Sequence, residues 1–121
     1  MNDAADRAAG DSGSPQDSIS QKEIVDRALS EVVRHDFYQD SDDTLAGVVG
    51  KSIPSEHALE TLICEMELHK GARVLQVGTG SGYAAAVLSR IAAEVFTIER
   101  MNEIAELARA RLQSLGYDNV T

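Results

Sequence analysis

The chain has 121 residues and a single cysteine, Cys64, which excludes an internal disulfide. Positive charge is scarce. Eleven Lys and Arg stand against 20 Asp and Glu, giving a formal net charge of −9 and a pI near 4.6. That balance repels polyanions, so neither a nucleic acid nor an acidic membrane surface is an expected partner. No run of about 18 apolar residues occurs, so no membrane span is expected. The first nine residues carry Asp3, Asp6 and Arg7 and no apolar stretch, so a signal peptide is not expected and the cytoplasm is the expected location. His57 and His69 are 12 residues apart and His35 is isolated. Without cysteines or acids clustered at ligand spacing, no metal site is expected. Cys64 stands among Leu62, Ile63 and Met66 with no neighbouring His or cation, which reads as a buried thiol and not a nucleophile.

Hydrophobic residues make up 43% of the chain, enough to build a core. The length fits one small domain or an incomplete piece of a larger one. Residues 1–19, rich in Asp, Ala, Gly and Ser, read as a disordered tail, and the domain is expected over 20–121. Ser20-Gln21-Lys22-Glu23 matches a capping box, and Ile24, Ala28, Leu29 and Val32 recur at helical spacing, predicting a helix from Gln21 to Arg34. From His35 to Ile53 no period holds. Asp36, Asp40, Asp42 and Asp43 lack the closing Glu of a calcium loop and read as a solvated connection. Ser55 is placed to cap a second helix with the apolar stripe Ala58, Leu59, Leu62, Ile63 and Met66, ended by Lys70-Gly71.

Ala72 to Val77 reads as a buried parallel strand, Tyr83 to Ala92 as a helix, Glu94 to Ile98 as a second strand. Met101 to Leu115 reads as a further helix with Ile104, Ala108, Leu112 and Leu115 on one face and Gly116 after its end. Helices followed by strand, helix, strand, helix indicate an α/β chain with a partial Rossmann-like, doubly wound sheet. Glu103, Glu106, Arg109 and Arg111 read as a solvated helix face, Arg100 as a partner for a surface acid, and Tyr83 as packing against the loop before it.

That loop, Gly78-Thr79-Gly80-Ser81-Gly82, carries the chemistry. Glycines turn the backbone sharply and let a ligand approach without a Cβ in the way. The following helix start offers free N–H groups to an anion. A dinucleotide fingerprint needs its third glycine where this chain has Tyr83. The spacing instead fits the loop that wraps the methionine part of S-adenosylmethionine (SAM). Glu99, at the end of the second strand and 21 residues beyond Gly78, is placed to accept both ribose hydroxyls of an adenosine.

Arg73-Val-Leu-Gln-Val-Gly-Thr-Gly-Ser-Gly-Tyr83, Ala86-Val-Leu88, Phe96-Thr-Ile-Glu-Arg100 and Leu115-Gly-Tyr-Asp-Asn-Val120 together resemble the protein-L-isoaspartate O-methyltransferase family, over roughly His35 to Thr121. The resemblance implies a class I, SAM-dependent protein carboxyl methyltransferase, with Gly78, Thr79, Gly80, Ser81, Gly82 and Glu99 binding the cofactor. It implies a repair reaction on protein or peptide substrates, in which an isoaspartyl carboxylate takes the SAM methyl group. That carboxylate is ionised near neutral pH, so no general base is required.

Three features depart from the family pattern. The family's Ile-Ser-x-Pro segment, whose serine sits at the reaction centre, is here Ile53-Pro54-Ser55-Glu56. The catalytic hydroxyl is then expected from Ser52 or the displaced Ser55, and Ser55 also suits the helix cap. The acid two residues before the first glycine is Gln76, which hydrogen-bonds but carries no charge. Thr121 precedes the family's Gly-Asp-Gly segment and substrate-binding part. The expectation is therefore an incomplete enzyme, inactive alone and binding SAM weakly or not at all. The bare edge of its first strand would be open to self-association or to a following domain. The other reading is a non-catalytic methyltransferase-like interaction or regulatory module of a larger protein.

Overall fold

The computed structural model describes residues 19–37 and 55–121. The expectations for the 1–18 tail, the acidic connection beyond Phe37, Ser52 and Pro54 lie outside the described residues. Helix α1 spans Gln21–Glu31. Both halves of the capping box form: the Ser20 Oγ accepts from the Glu23 N–H at 3.1 Å, and the Glu23 carboxylate accepts from the Ser20 N–H at 3.2 Å. The helix stops three residues short of the expected Arg34, with Val32 extended at φ −109° and ψ 119°. Val32 and Val33 are both β-branched, which weakens their hold on the helix. A 3-10 turn over Arg34–Phe37 follows and buries Phe37, whose ring meets that of Tyr83 edge-on at 5.8 Å.

Helix α2 spans Glu56–Met66, with the Ser55 Oγ accepting from the Ala58 N–H at 3.1 Å. The expected five-residue stripe is only partly buried. Leu59 and Ile63 enter the core, whereas Ala58 is exposed and Leu62 and Met66 are 61% and 48% exposed. The helix packs against α1 along the 59–63 ridge, and the 58–62–66 row, about 100° around the axis, points away. The helix ends before Lys70-Gly71, at Glu67, which takes a left-handed conformation (φ 51°) and donates its N–H to the Cys64 carbonyl. Cys64 packs against the core, half-buried, and burial pushes its thiol pKa up.

Strands β1 (Arg73–Val77) and β2 (Glu94–Ile98) lie parallel in register Arg73↔Glu94 to Val77↔Ile98. Helix α3 (Tyr83–Ser89) crosses between them, shorter than expected because Arg90 to Ala93 form the turn into β2. Six of its seven residues are buried, as its alanines allow in so confined a space. Helix α4 (Asn102–Ser114) matches its expected span to within one residue at each end and buries Ile104, Ala108 and Leu112, while Leu115 stays 38% exposed. It ends in a Schellman motif: the Gly116 N–H donates to the Gln113 carbonyl and the Tyr117 N–H to the Leu112 carbonyl.

A third strand segment, not expected from the sequence, lies on the far side of β2. Val95 N–H donates to the Asn119 carbonyl at 2.9 Å, Thr121 N–H to the Val95 carbonyl at 2.8 Å, and Thr97 N–H to the Thr121 carbonyl at 2.8 Å. The Val95–Val120 bridge is parallel. Asn119 ties this segment to the α3–β2 turn, its Nδ2 donating to the carbonyls of Ser89, Ala92 and Ala93. β2 is thus central, and β1 has β2 as its only strand partner among the described residues. Leu75, Val77 and Ile98 remain exposed on the sheet. No helix among the described residues is long and apolar enough to cross a membrane.

Candidate functional site at the glycine loop

The C-terminal ends of β1 and β2 bring the glycine loop and Glu99 side by side. Gly78 N–H donates to the Ile98 carbonyl at 2.8 Å, extending the strand pairing by one step before the chain turns. Gly82 N–H then donates back to the Thr79 carbonyl at 3.0 Å, and Ala86 N–H to the Gly82 carbonyl opens α3. All three glycines have positive φ, at 92°, 55° and 94°.

Within this loop the five residues do different things. Nothing lies within 4 Å of where a Cβ would stand on Gly78 or Gly80, so the main chain there faces open space. Gly82 is buried, and a Cβ on it would come within 3.3 Å of Leu112. Its missing side chain lets α4 pack closely against the start of α3. The side chains of Thr79 and Ser81 turn inward, at 7% and 3% exposure. Thr79 Oγ1 lies 2.6 Å from Thr97 Oγ1, and Ser81 Oγ accepts from the Tyr83 N–H at 3.2 Å. They hold the loop's shape, and its backbone at positions 78 and 80 stays open.

Glu99 points into the loop. Its Oε1 accepts from the Gly80 N–H at 3.0 Å and its Oε2 from the Met101 N–H at 3.1 Å. These two donors, the Gly80 amide foremost, hold its carboxyl pKa below the ordinary value of 4.5. An ionised carboxylate offers about four lone-pair sites, so two acceptor positions remain for hydroxyl groups. Open main chain at Gly78 and Gly80 beside a half-exposed carboxylate suits a ligand with a chain that lies against bare peptide and with paired hydroxyls.

Of the serines expected to supply a hydroxyl, Ser55 accepts the cap bond of α2, and Ser52 lies outside the described residues. Tyr83 is 1% exposed, packed beneath the loop with Phe37 at its edge and the Arg34 guanidinium 5.0 Å above its ring. The reading of Arg111 as part of a solvated face is corrected. Arg109 pairs with Glu106 in solvent, but Arg111 reaches across to donate to the Ser81 carbonyl at 3.0 Å. Thr97, noted in the sequence only within a recognisable segment, links Thr79 to Gln76, donating to the Gln76 Oε1 at 2.8 Å. Its place two residues before Glu99 on a strand was a signal for a shared side of the sheet. Arg111 gave no such signal, because its partner is 30 residues away. No group of three His, Cys, Asp or Glu that could hold a metal ion occurs among the described residues.

A family model described as protein-L-isoaspartate(D-aspartate) O-methyltransferase matches residues 14–121. The chain is 41% identical over 109 residues to a protein-L-isoaspartate O-methyltransferase of Nitrobacter winogradskyi, covering 84% of this chain and 50% of that protein. It is 43% identical over 107 residues to one of Pelotomaculum thermopropionicum, covering 83% and 47%. The chain thus spans about half the length of the curated relatives it matches. Among solved structures, a protein-L-isoaspartate O-methyltransferase superposes with a TM-score of 0.66 at 28% identity, over 81% of this chain and 36% of that one. The YcgJ protein from Bacillus subtilis superposes with a TM-score of 0.52 at 30% identity, over 55% and 28%.

Proposed function

Because the chain belongs to the protein-L-isoaspartate(D-aspartate) O-methyltransferase family, we propose that its glycine loop and Glu99 seat S-adenosylmethionine for methyl transfer to an isoaspartyl carboxylate in protein repair. The observation that carries this reading is the 3.0 Å hydrogen bond from Gly80 N–H to Glu99. It joins the open main chain after β1 to the acid after β2, two features that arise 19 residues apart.

The residues present fit the cofactor. The space beside Gly78 and Gly80 admits the methionine portion against bare peptide. Glu99 has two acceptor positions left for the ribose hydroxyls. The cofactor supplies an electrophilic methyl group on a sulfonium. The substrate carboxylate is already ionised near neutral pH, so the protein need furnish no base. Its work is alignment of nucleophile and methyl group, and Thr79, Ser81 and Arg111 serve this by fixing the loop.

An NMR titration of SAM into the chain tests the proposal. The Gly78 and Gly80 amides should shift while Gly116, distant in sequence and at the end of α4, stays still. Glu99→Ala should weaken the interaction about tenfold or more, because hydrogen bonds to a charged acceptor contribute about 1.5–3 kcal/mol each. SAM-induced shifts that bypass Gly78 and Gly80, or equal binding by Glu99→Ala, would sink the assignment.

A further inference from the structure

Beneath the loop, Gln76, Thr97 and Thr79 form a hydrogen-bonded row, and proton counting gives it a direction. The Thr97 hydroxyl donates to Gln76 Oε1 at 2.8 Å, and an amide oxygen only accepts. A hydroxyl has one proton. With its proton spent on Gln76, Thr97 Oγ1 meets Thr79 Oγ1 at 2.6 Å as an acceptor, so Thr79 is the donor of that bond. Thr79 is therefore held twice. Its hydroxyl is committed downward to β2, and its carbonyl accepts from the Gly82 N–H at 3.0 Å. The next residue is Gly80, whose N–H is aimed at Glu99.

We propose that Gln76 is a positioning residue for the loop, acting through a directed hydroxyl relay, Thr79 to Thr97 to Gln76. The amide oxygen at the far end decides which way both protons point, and so fixes the Thr79 rotamer and the backbone on which Gly80 is carried. Gln76 and Thr79 sit on either side of Thr97, one in β1 and one in the loop, so Thr97 alone transmits the effect. Its purpose rests on the reading of this loop as the methyl donor's seat, but the relay is measurable without any ligand.

Hydrogen exchange and NMR on the whole chain test it. Thr97→Val keeps the β-branched shape and removes the hydroxyl, breaking both bonds. Exchange at the Gly80 amide should accelerate about thirtyfold, from the usual net contribution of a hydrogen bond taken twice, while Gly116 is unchanged. Thr97→Ser should restore the wild-type rate to within about twofold, as expected if the hydroxyl and not the methyl matters. Gln76→Glu supplies a readout that packing alone would not move. Ionised, the new carboxylate accepts from Thr97 as the amide does. Protonated, it has a proton to donate and reverses the relay. The Gly80 amide of that variant should then show an additional pH inflection beyond the one from Glu99, and Gln76→Glu with Thr97→Val should abolish it.

Unaltered Gly80 exchange in Thr97→Val, failure of Thr97→Ser to restore it, or an inflection that survives in the double variant would each overturn the relay. None of these results bears on whether SAM binds. SAM shifts that bypass the wild-type loop would sink the functional reading and leave the relay standing.

Discussion

Replacing Gly82 by alanine tests whether the third glycine serves helix packing while the second faces open space. At Gly82, φ is 94°, and an added Cβ stands 3.3 Å from Leu112 Cδ1 and Cγ and 3.7 Å from Ala108 Cβ. The left-handed backbone costs about 1–2 kcal/mol for a residue with a Cβ. Forcing an extra methyl against the packed Leu112 adds about 1–3 kcal/mol. Gly82→Ala should thus lose about 2–5 kcal/mol, a large share of the 5–15 kcal/mol typical of a domain. At about 4–8 °C per kcal/mol, a loss near 3 kcal/mol lowers Tm by roughly 12–24 °C. Gly80 has φ 55° and open space beside it, so Gly80→Ala carries only the backbone cost, about 1–2 kcal/mol. Urea denaturation followed by circular dichroism measures both. Leu112→Ala provides the cross-check: it removes the crowding atoms, so its double mutant with Gly82→Ala should show a coupling of about 1–2 kcal/mol. If Gly82→Ala falls within 1 kcal/mol of Gly80→Ala, or the two sites add independently, the assignment of Gly82 to helix packing is refuted.

Other outcomes follow from single contacts. Glu99 has a depressed pKa, so its contribution to loop order is fully present above its ordinary value of 4.5 and is lost as pH falls through its lower folded value. The Gly80 amide should therefore titrate below pH 4.5, and a Glu99→Gln variant that shows the same inflection would rule this out. Asn119→Ala frees three carbonyls of the α3–β2 turn and should cost about 1–3 kcal/mol in thermal or urea unfolding. Asn119→Asp, which removes the donor and sets a negative charge among carbonyls, should cost more, and a neutral effect would contradict the structural role. The outer edge of β1, with Leu75 and Val77 exposed, should support concentration-dependent self-association in sedimentation, suppressed by Leu75→Lys with Val77→Lys. A clean monomer at high concentration would count against that.

Local signals carried through where the cause was local. The Ser20 capping box, the Ser55 cap, the second strand at Glu94–Ile98 and the Schellman end at Gly116 all depend on a few neighbouring residues, and all form as the sequence indicates. Burial was less legible. On α2, Leu62 and Met66 fit the apolar period but stay exposed, because periodicity shows which residues share a face and not which face finds a partner. The third strand segment was hidden because Asn119 to Thr121 is too short to show a strand pattern of its own. It forms because β2 presents an open edge and Asn119 caps the adjacent turn.

By itself the sequence determined the loop and its partner acid: glycine spacing after a strand and a carboxylate 21 residues on need only chain connectivity and backbone stereochemistry. Only tertiary structure decided what holds them. Thr97, Arg111 and Leu112 reach the loop from elements 18 to 30 residues distant, through hydrogen bonds and a close helix approach that exist only once β2 and α4 are docked. Which glycine faces open space and which faces a helix is a property of that docking, since the three share the same residue type and the same sign of φ.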